Sequence, residues 1–296
     1  MDKEPDDLVQ LVPELRDKSV TVVPLTGGIT NRNYRLDAVD QSYVLRIGGE
    51  GTHLLGIDRV REYECSLQAA RLGVGPEVVA FLPERDALVT RFASGRVLTP
   101  DDMRHKPILR RVVDALSRCH RGPSIPGAFS PFTTVRDYYA LAREREVPFP
   151  STITRAMDLL AQMEEAAGTA EAPCPCHNDL LPANFIDDGR SVWIIDWEYA
   201  GMGDPFFDLG NLAVNNRFAD SHERLLLELY FGEVRPEHRR RLRMMRLVSD
   251  MREAMWGFLQ AGISTLDSDF LRYGQIHLER FLAAATVLEP DLLKTT

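Results

Sequence analysis

The chain has no apolar leader at its start and no apolar run that approaches the length of a membrane span, so membrane insertion is not expected and a cytoplasmic setting is. Cysteine is scarce, four in 296 residues, and without a secretory signal these four read as reduced thiols rather than a disulfide framework. Cys174 and Cys176 lead into His177, but the second ligand pair that a structural zinc site needs is missing, and the bland reading of small residues entering a loop is preferred. No block of like charge stands out. With 35 Lys and Arg against 44 Asp and Glu, the net charge of -9 argues against nucleic acid as a partner and is mildly favourable to a cationic small molecule. Internal repeats and low-complexity tracts are absent as well, and nothing in the pattern specifies an oligomeric state.

What is present is a hydrophobic fraction of 44%, enough for a sizeable core divided over two lobes. A helix-like segment near Leu8 to Leu15 precedes the β-branched run Val20 to Val23. The segment L-T-G-G-I-T-N-R-N-Y-R-L then reads as strand, glycine turn, strand. In that turn Gly28 lets the backbone approach a ligand, and Thr30 and Asn31 offer donors to phosphate oxygens. Tyr43 to Ile47 is a third strand carrying Arg46, and Arg59 to Leu72 is a helix with Glu62 in its first turn. A strand cation paired with a helix glutamate is one way to hold a side chain on nucleotide phosphates. Without that context, two solvated surface charges would be the simpler reading. Val78 to Phe81 and Ala87 to Phe92 complete a small five-stranded sheet. Beyond Ser94-Gly95 the apolar spacing becomes helical, so we expect a nucleotide-binding lobe over 1–93 and a mainly helical lobe over 94–296.

The most informative stretch is H-N-D-L-L-P-A-N-F-I-D-D-G-R-S-V-W-I-I-D, from His177 to Asp196. An Asp followed five residues later by an Asn lets one tight loop turn a carboxylate toward a substrate hydroxyl and an amide oxygen toward a metal. Phe185-Ile186, the turn residues Asp187-Asp188-Gly189 and the run Val192 to Ile195 predict a hairpin that returns Asp196 to the same place. Such an oxygen set suits Mg²⁺, which keeps its waters and nucleotide phosphates while binding few protein groups. Asp and Asn are frequent in turns, and a lone match would mean little. Here His177 before, the apolar strand after and the terminal Asp196 make phosphoryl transfer from ATP the preferred chemistry.

With these motifs in place the chain resembles the choline/ethanolamine kinase family, within the wider group of aminoglycoside-phosphotransferase-like small-molecule kinases, over nearly its whole length. The resemblance implies a two-lobed protein-kinase-like α+β fold, with a small antiparallel sheet and one helix above a larger helical lobe. It makes G-G-I-T-N, at 27–31, the phosphate loop, Arg46 the phosphate contact, and Arg59 to Glu62 the helix opening that supports it. It makes Asp179 the catalytic base, Asn184 and Asp196 the Mg²⁺ ligands in I-D-W-E-Y, and Asp208 of F-D-L-G-N the brace of the loop that His177 opens. W-G-F-L-Q-A-G-I-S from Trp256 and Y-G-Q from Tyr273 resemble the segment whose aromatics wall a cationic headgroup, adding Tyr199 and Glu253 to the expected acceptor site. Where eukaryotic choline kinases carry a second Trp and a Glu, this chain has Glu253 and Asn215. On helical spacing alone, Ser249, Glu253, Trp256 and Gln260 share a face. The implied partners are ATP and a small cationic alcohol. Thiamine or an aminoglycoside is the alternative acceptor, and a ligand-binding pseudokinase is the alternative of another class.

Overall fold

The structure, a computed structural model, describes residues 4–26, 30–168 and 172–292, with side chains to 286. The chain begins with a short helix α1 (Pro5–Val9), then β1 (Thr21–Leu25), β2 (Asn31–Asp37) and β3 (Ser42–Gly48). After α2 (Arg59–Arg71), β4 (Val78–Leu82) and β5 (Ala87–Arg91) complete a five-stranded sheet in the order β1-β2-β3-β5-β4, every pairing antiparallel. The expected sheet is present, and the expected helix from Arg59 ends one residue early. The expected helix over Leu8 to Leu15 is instead the one-turn α1 followed by turns, as Pro13 cannot donate to a continuing helix.

Alternation in β3 decides which side chains meet the core. Tyr43, Leu45 and Ile47 are buried against Leu8, Val12, Leu15, Leu36 and Val89, so Arg46 between them turns to the other face, toward α2. There the α2 N-terminus is capped by Asp58, whose carboxylate accepts the amides of Val60 and Arg61 at 2.9 and 3.0 Å. That cap fixes where the first turn begins and therefore where Glu62 points.

The remaining elements are β6 (Arg96–Val97), α3 (Pro100–Met103), α4 (Lys106–His120), α5 (Pro131–Glu144), α6 (Ile153–Ala167), β7 (Cys174–Cys176), β8 (Phe185–Asp187), β9 (Val192–Ile194), β10 (Gly201–Gly203), α7 (Pro205–Asn215), α8 (Asp220–Phe231), α9 (Pro236–Ile263) and α10 (Phe270–Leu292). Strands β8 and β9 form the predicted hairpin, with Phe185 opposite Ile194, and β6 pairs with β8. Met251, Met255, Phe258 and Leu259 of α9 pack into one core with α5, α6 and α10, while α2, α4, α7 and the hairpin share another. Buried positions surround α9 from Leu247 to Gln260, so this helix is central to the molecule and its polar face is enclosed. Two glycines permit its close crossings. A Cβ on Gly210 of α7 would lie 2.7 Å from the Met245 carbonyl carbon, and one on Gly257 would lie 2.8 Å from the Gly274 amide nitrogen of α10. Among the described residues, no helix is long and apolar enough to cross a membrane.

Candidate active site

The loop after β7 is held from below by one carboxylate. Asp208, fully buried in the first turn of α7, accepts the backbone amides of His177 and Asn178 at 2.8 and 2.7 Å, and Nε2 of His120 at 3.0 Å. Its helix starts where it does because Asp204 caps it, accepting the Phe206 amide at 2.9 Å just before Pro205 enters the first turn. One turn further on, Asn211 accepts the Leu180 amide at 2.5 Å and donates to Ser249 Oγ of α9 at 2.9 Å. The loop is thereby pinned on both sides of Asp179. Asn178 can then hold φ at +66°, a left-handed conformation that Asn tolerates, while its side chain donates to the Tyr199 carbonyl at 3.0 Å.

His177 joins this loop to the hairpin. Its Nε2 donates to the Ile195 carbonyl at 2.9 Å and its Nδ1 accepts the Asp179 amide at 3.3 Å, an arrangement that requires the neutral ring. Burial lowers its pKa and keeps it neutral. The Ile195 amide in turn donates to the Asn184 carbonyl at 3.0 Å, so Asn184 and Asp196 flank the mouth of the same hairpin. Asn184 Nδ2 donates to the Asp179 carbonyl at 2.9 Å, which leaves its Oδ1 as a free acceptor among the described residues. Asp196, at φ +71°, uses Oδ1 on Arg46, and its Oδ2 has no partner among the described residues. A hard oxygen from an amide and another from a carboxylate, both unspent and both on fixed backbone, fit a magnesium ion.

Arg46 bridges the sheet to this hairpin. Its guanidinium pairs with Glu62 of α2 and with Asp196, a buried pair and not a solvated surface charge, since Glu62 is 2% exposed. Arg59 adds to the cluster, meeting Glu62 at 2.6 Å, Glu198 at 3.3 Å and Asn31 at 2.8 Å. Burial raises the Glu62 carboxyl, but Arg46 and Arg59 outweigh it and hold the group below its usual range. Burial raises Asp196 and Glu198, each pushed further by neighbouring carboxylates and opposed by Arg46. Thr30 Oγ1 and Asn31 Nδ2 donate to Glu198 at 3.0 and 2.9 Å, so their donors anchor the start of β2 to the segment that follows Asp196. Gly28 lies outside the described residues.

Asp179 itself is 8% exposed, and burial pushes its pKa up to about 6, with Glu253 and Glu198 adding to the rise and Arg252 opposing it. Arg252 Nη1 donates to Asp179 Oδ1 at 3.0 Å and to Glu253 Oε1 at 2.6 Å. Tyr273 donates its hydroxyl to Glu253 Oε2 at 2.8 Å. The Trp256 ring meets those of Tyr273 and Phe270 edge to face, at 5.6 and 5.8 Å between centroids. Glu253, Trp256 and Tyr273 are thus one cluster, linked to Asp179 through Arg252, whose guanidinium carbon also lies 4.5 Å from the centroid of the Tyr199 ring.

Arg59, Glu198 and Arg252 belong to this site without having been singled out from the sequence. Arg59 and Glu198 stand inside the two motifs that frame Glu62 and Asp196. Arg252 lies three residues after Ser249 and four before Trp256, on the face already assigned to Ser249, Glu253 and Trp256. Beside the thiols of Cys174 and Cys176, 3.8 Å apart, the fold places His120 of α4 instead of the adjacent His177. Both His120 nitrogens are engaged, Nε2 with Asp208 and Nδ1 with the Tyr230 hydroxyl at 2.6 Å.

Residues 21–244 match the model of the phosphotransferase enzyme family. The chain is 27% identical to protein LicA of Haemophilus influenzae over 89% of its own length and 78% of that protein. It is 27% identical to human ethanolamine kinase 2, over 94% of this chain and 81% of that one. A solved choline/ethanolamine kinase family protein from Mesorhizobium loti superposes with a TM-score of 0.82 at 29% identity, covering 95% of this chain and 94% of that chain. A family match over most of the chain, on a fold that brings Asp179, Asn184 and Asp196 to one loop and hairpin, shows that the chain belongs to the phosphotransferase enzyme family.

Proposed function

We propose that this protein transfers the γ-phosphoryl group of MgATP to the hydroxyl of a small amino alcohol of the choline and ethanolamine class. The observation that carries this reading is the pinned loop, which holds a buried carboxylate beside two unspent oxygen ligands on a neighbouring hairpin. Asp179 would accept the hydroxyl proton, its raised pKa making it a better base than an exposed carboxylate. Asn184 Oδ1 and Asp196 Oδ2 would hold magnesium, whose contribution is to offset charge on the β- and γ-phosphates. Arg46, kept in place by Glu62, would lie along those phosphates, with the turn over 27–31 covering them. In this reading the lobe that binds nucleotide ends near residue 93, and the enzyme works in the cytoplasm.

An amino-alcohol acceptor is supported by the activity named for human ethanolamine kinase 2 and by the two buried carboxylates Asp179 and Glu253 beside one guanidinium, a balance that leaves room for one added positive charge. A ligand-binding pseudokinase is disfavoured because the base and both metal ligands are present. Measuring ATP consumption with ethanolamine, choline, thiamine and an aminoglycoside, each with and without Mg²⁺, tests the proposal. Magnesium-dependent consumption with an amino alcohol is expected, whereas consumption with thiamine or the aminoglycoside alone would replace the acceptor.

A further inference from the structure

A trimethylammonium group has no hydrogen to donate and is held by aromatic faces, whereas a primary ammonium donates three hydrogen bonds and is held by carboxylates. The amino-alcohol reading is compatible with both, and the inference that follows rests on it. Tyr199 is an aromatic ring beside Asp179, since one guanidinium touches both: Arg252 stands over its ring at 4.5 Å and donates to Asp179 Oδ1 at 3.0 Å. The face that a quaternary ammonium could use there is therefore covered by the protein's own cation.

The other aromatics of the cluster are engaged with one another, as Trp256 meets both Tyr273 and Phe270 edge to face. The carboxylates, in contrast, keep acceptor capacity. Asp179 Oδ2 has no partner among the described residues, and each oxygen of Glu253 accepts a single hydrogen bond although a carboxylate has about four acceptor sites in all. Arg252 is 2% exposed and its Nε and Nη2 find no acceptor among the described residues, so the Tyr199 face and the two bonds of Nη1 are what hold it there. The residues of α9 around this turn are buried as well.

We propose that Arg252 is a specificity-determining residue: by filling the aromatic face beside Asp179 it selects alcohols whose ammonium carries N–H donors and disfavours quaternary ammonium alcohols. The test compares kcat/KM for ethanolamine and choline in the wild type and in Arg252→Met, which removes the charge at similar length. The wild type is expected to favour ethanolamine by about tenfold or more, and Arg252→Met to shift that ratio toward choline by about tenfold, as expected when a ring face is freed for one cation–π interaction. The ratio is the readout because loss of a cation beside Asp179 affects both substrates alike. Should Arg252→Met fail to fold, competition in the wild type decides the matter, with methylammonium expected to inhibit and tetramethylammonium to inhibit far less. A wild type that prefers choline, an unchanged ratio in folded Arg252→Met, or equal inhibition by the two ammonium ions would overturn the role of Arg252 and leave the amino-alcohol reading intact. Turnover of neither amino alcohol by the wild type would instead remove the reading on which the inference stands.

Discussion

At the scale of single residues, the proposed phosphoryl transfer gives different work to Asp179, Asn184 and Asp196, and substitution should separate them. Asp196→Ala would remove the carboxylate oxygen assigned to the metal as well as a partner of Arg46, so magnesium-dependent nucleotide binding should disappear. Asn184→Ala would remove the proposed neutral ligand and a hydrogen bond to the Asp179 carbonyl, and the Mg²⁺ needed for half-maximal activity should rise without binding being abolished. Titrating Mg²⁺ at fixed ATP distinguishes the two, and the same dependence in both variants as in the wild type would contradict the ligand assignment. These three residues were legible because their spacing alone puts them on one loop and hairpin. Arg252 was not singled out, because an arginine on a helix is ordinarily a surface cation, and only the enclosure of α9 on every side turns it toward Asp179.

At the scale of elements, the loop depends on the first turn of α7. Asp208→Ala would leave the amides of His177 and Asn178 buried without acceptors, and each such donor costs roughly 1–3 kcal/mol. Denaturant unfolding should show a loss of about 3 kcal/mol or more, accompanied by a fall in kcat even under conditions where the variant stays folded. Unchanged stability would mean that another group supports the loop. The crossing of α9 and α10 offers a second test. Gly257→Ala forces a methyl against the Gly274 backbone, so the helices must spread at a cost of about 1–3 kcal/mol. Because Trp256 and Tyr273 are the chain neighbours of these glycines, KM for the acceptor should rise while KM for ATP stays near its original value. A rise in both would show that the crossing supports more than the acceptor side. Element positions followed well from apolar period and turn residues, as the extents of α2, β5 and the β8–β9 hairpin show. The segment from Leu8 to Leu15 has apolar residues at helical spacing, yet α1 ends at Val9, and Val12 and Leu15 reach the sheet core through turns around Pro13.

At the scale of the whole molecule, the sheet and the helical elements are joined at the chemistry. Polar contacts across that junction include Arg46 with Asp196, and Arg59, Thr30 and Asn31 with Glu198, so residues that would hold phosphate also tie the two parts together. Sequence spacing cannot show such a junction, since Thr30 and Glu198 are 168 positions apart. The central claim is that the junction directs the γ-phosphoryl group to an amino-alcohol hydroxyl activated by Asp179. Phosphorus NMR of reactions containing ATP, Mg²⁺ and ethanolamine, run with the wild type and with Asp179→Asn, addresses it most directly. The account predicts ADP and a new phosphomonoester resonance in equal amounts with the wild type, and a rate lower by about 10²–10⁴ in the variant, with nucleotide binding retained. ADP accompanied only by inorganic phosphate, or an undiminished phosphomonoester signal from Asp179→Asn, would contradict it.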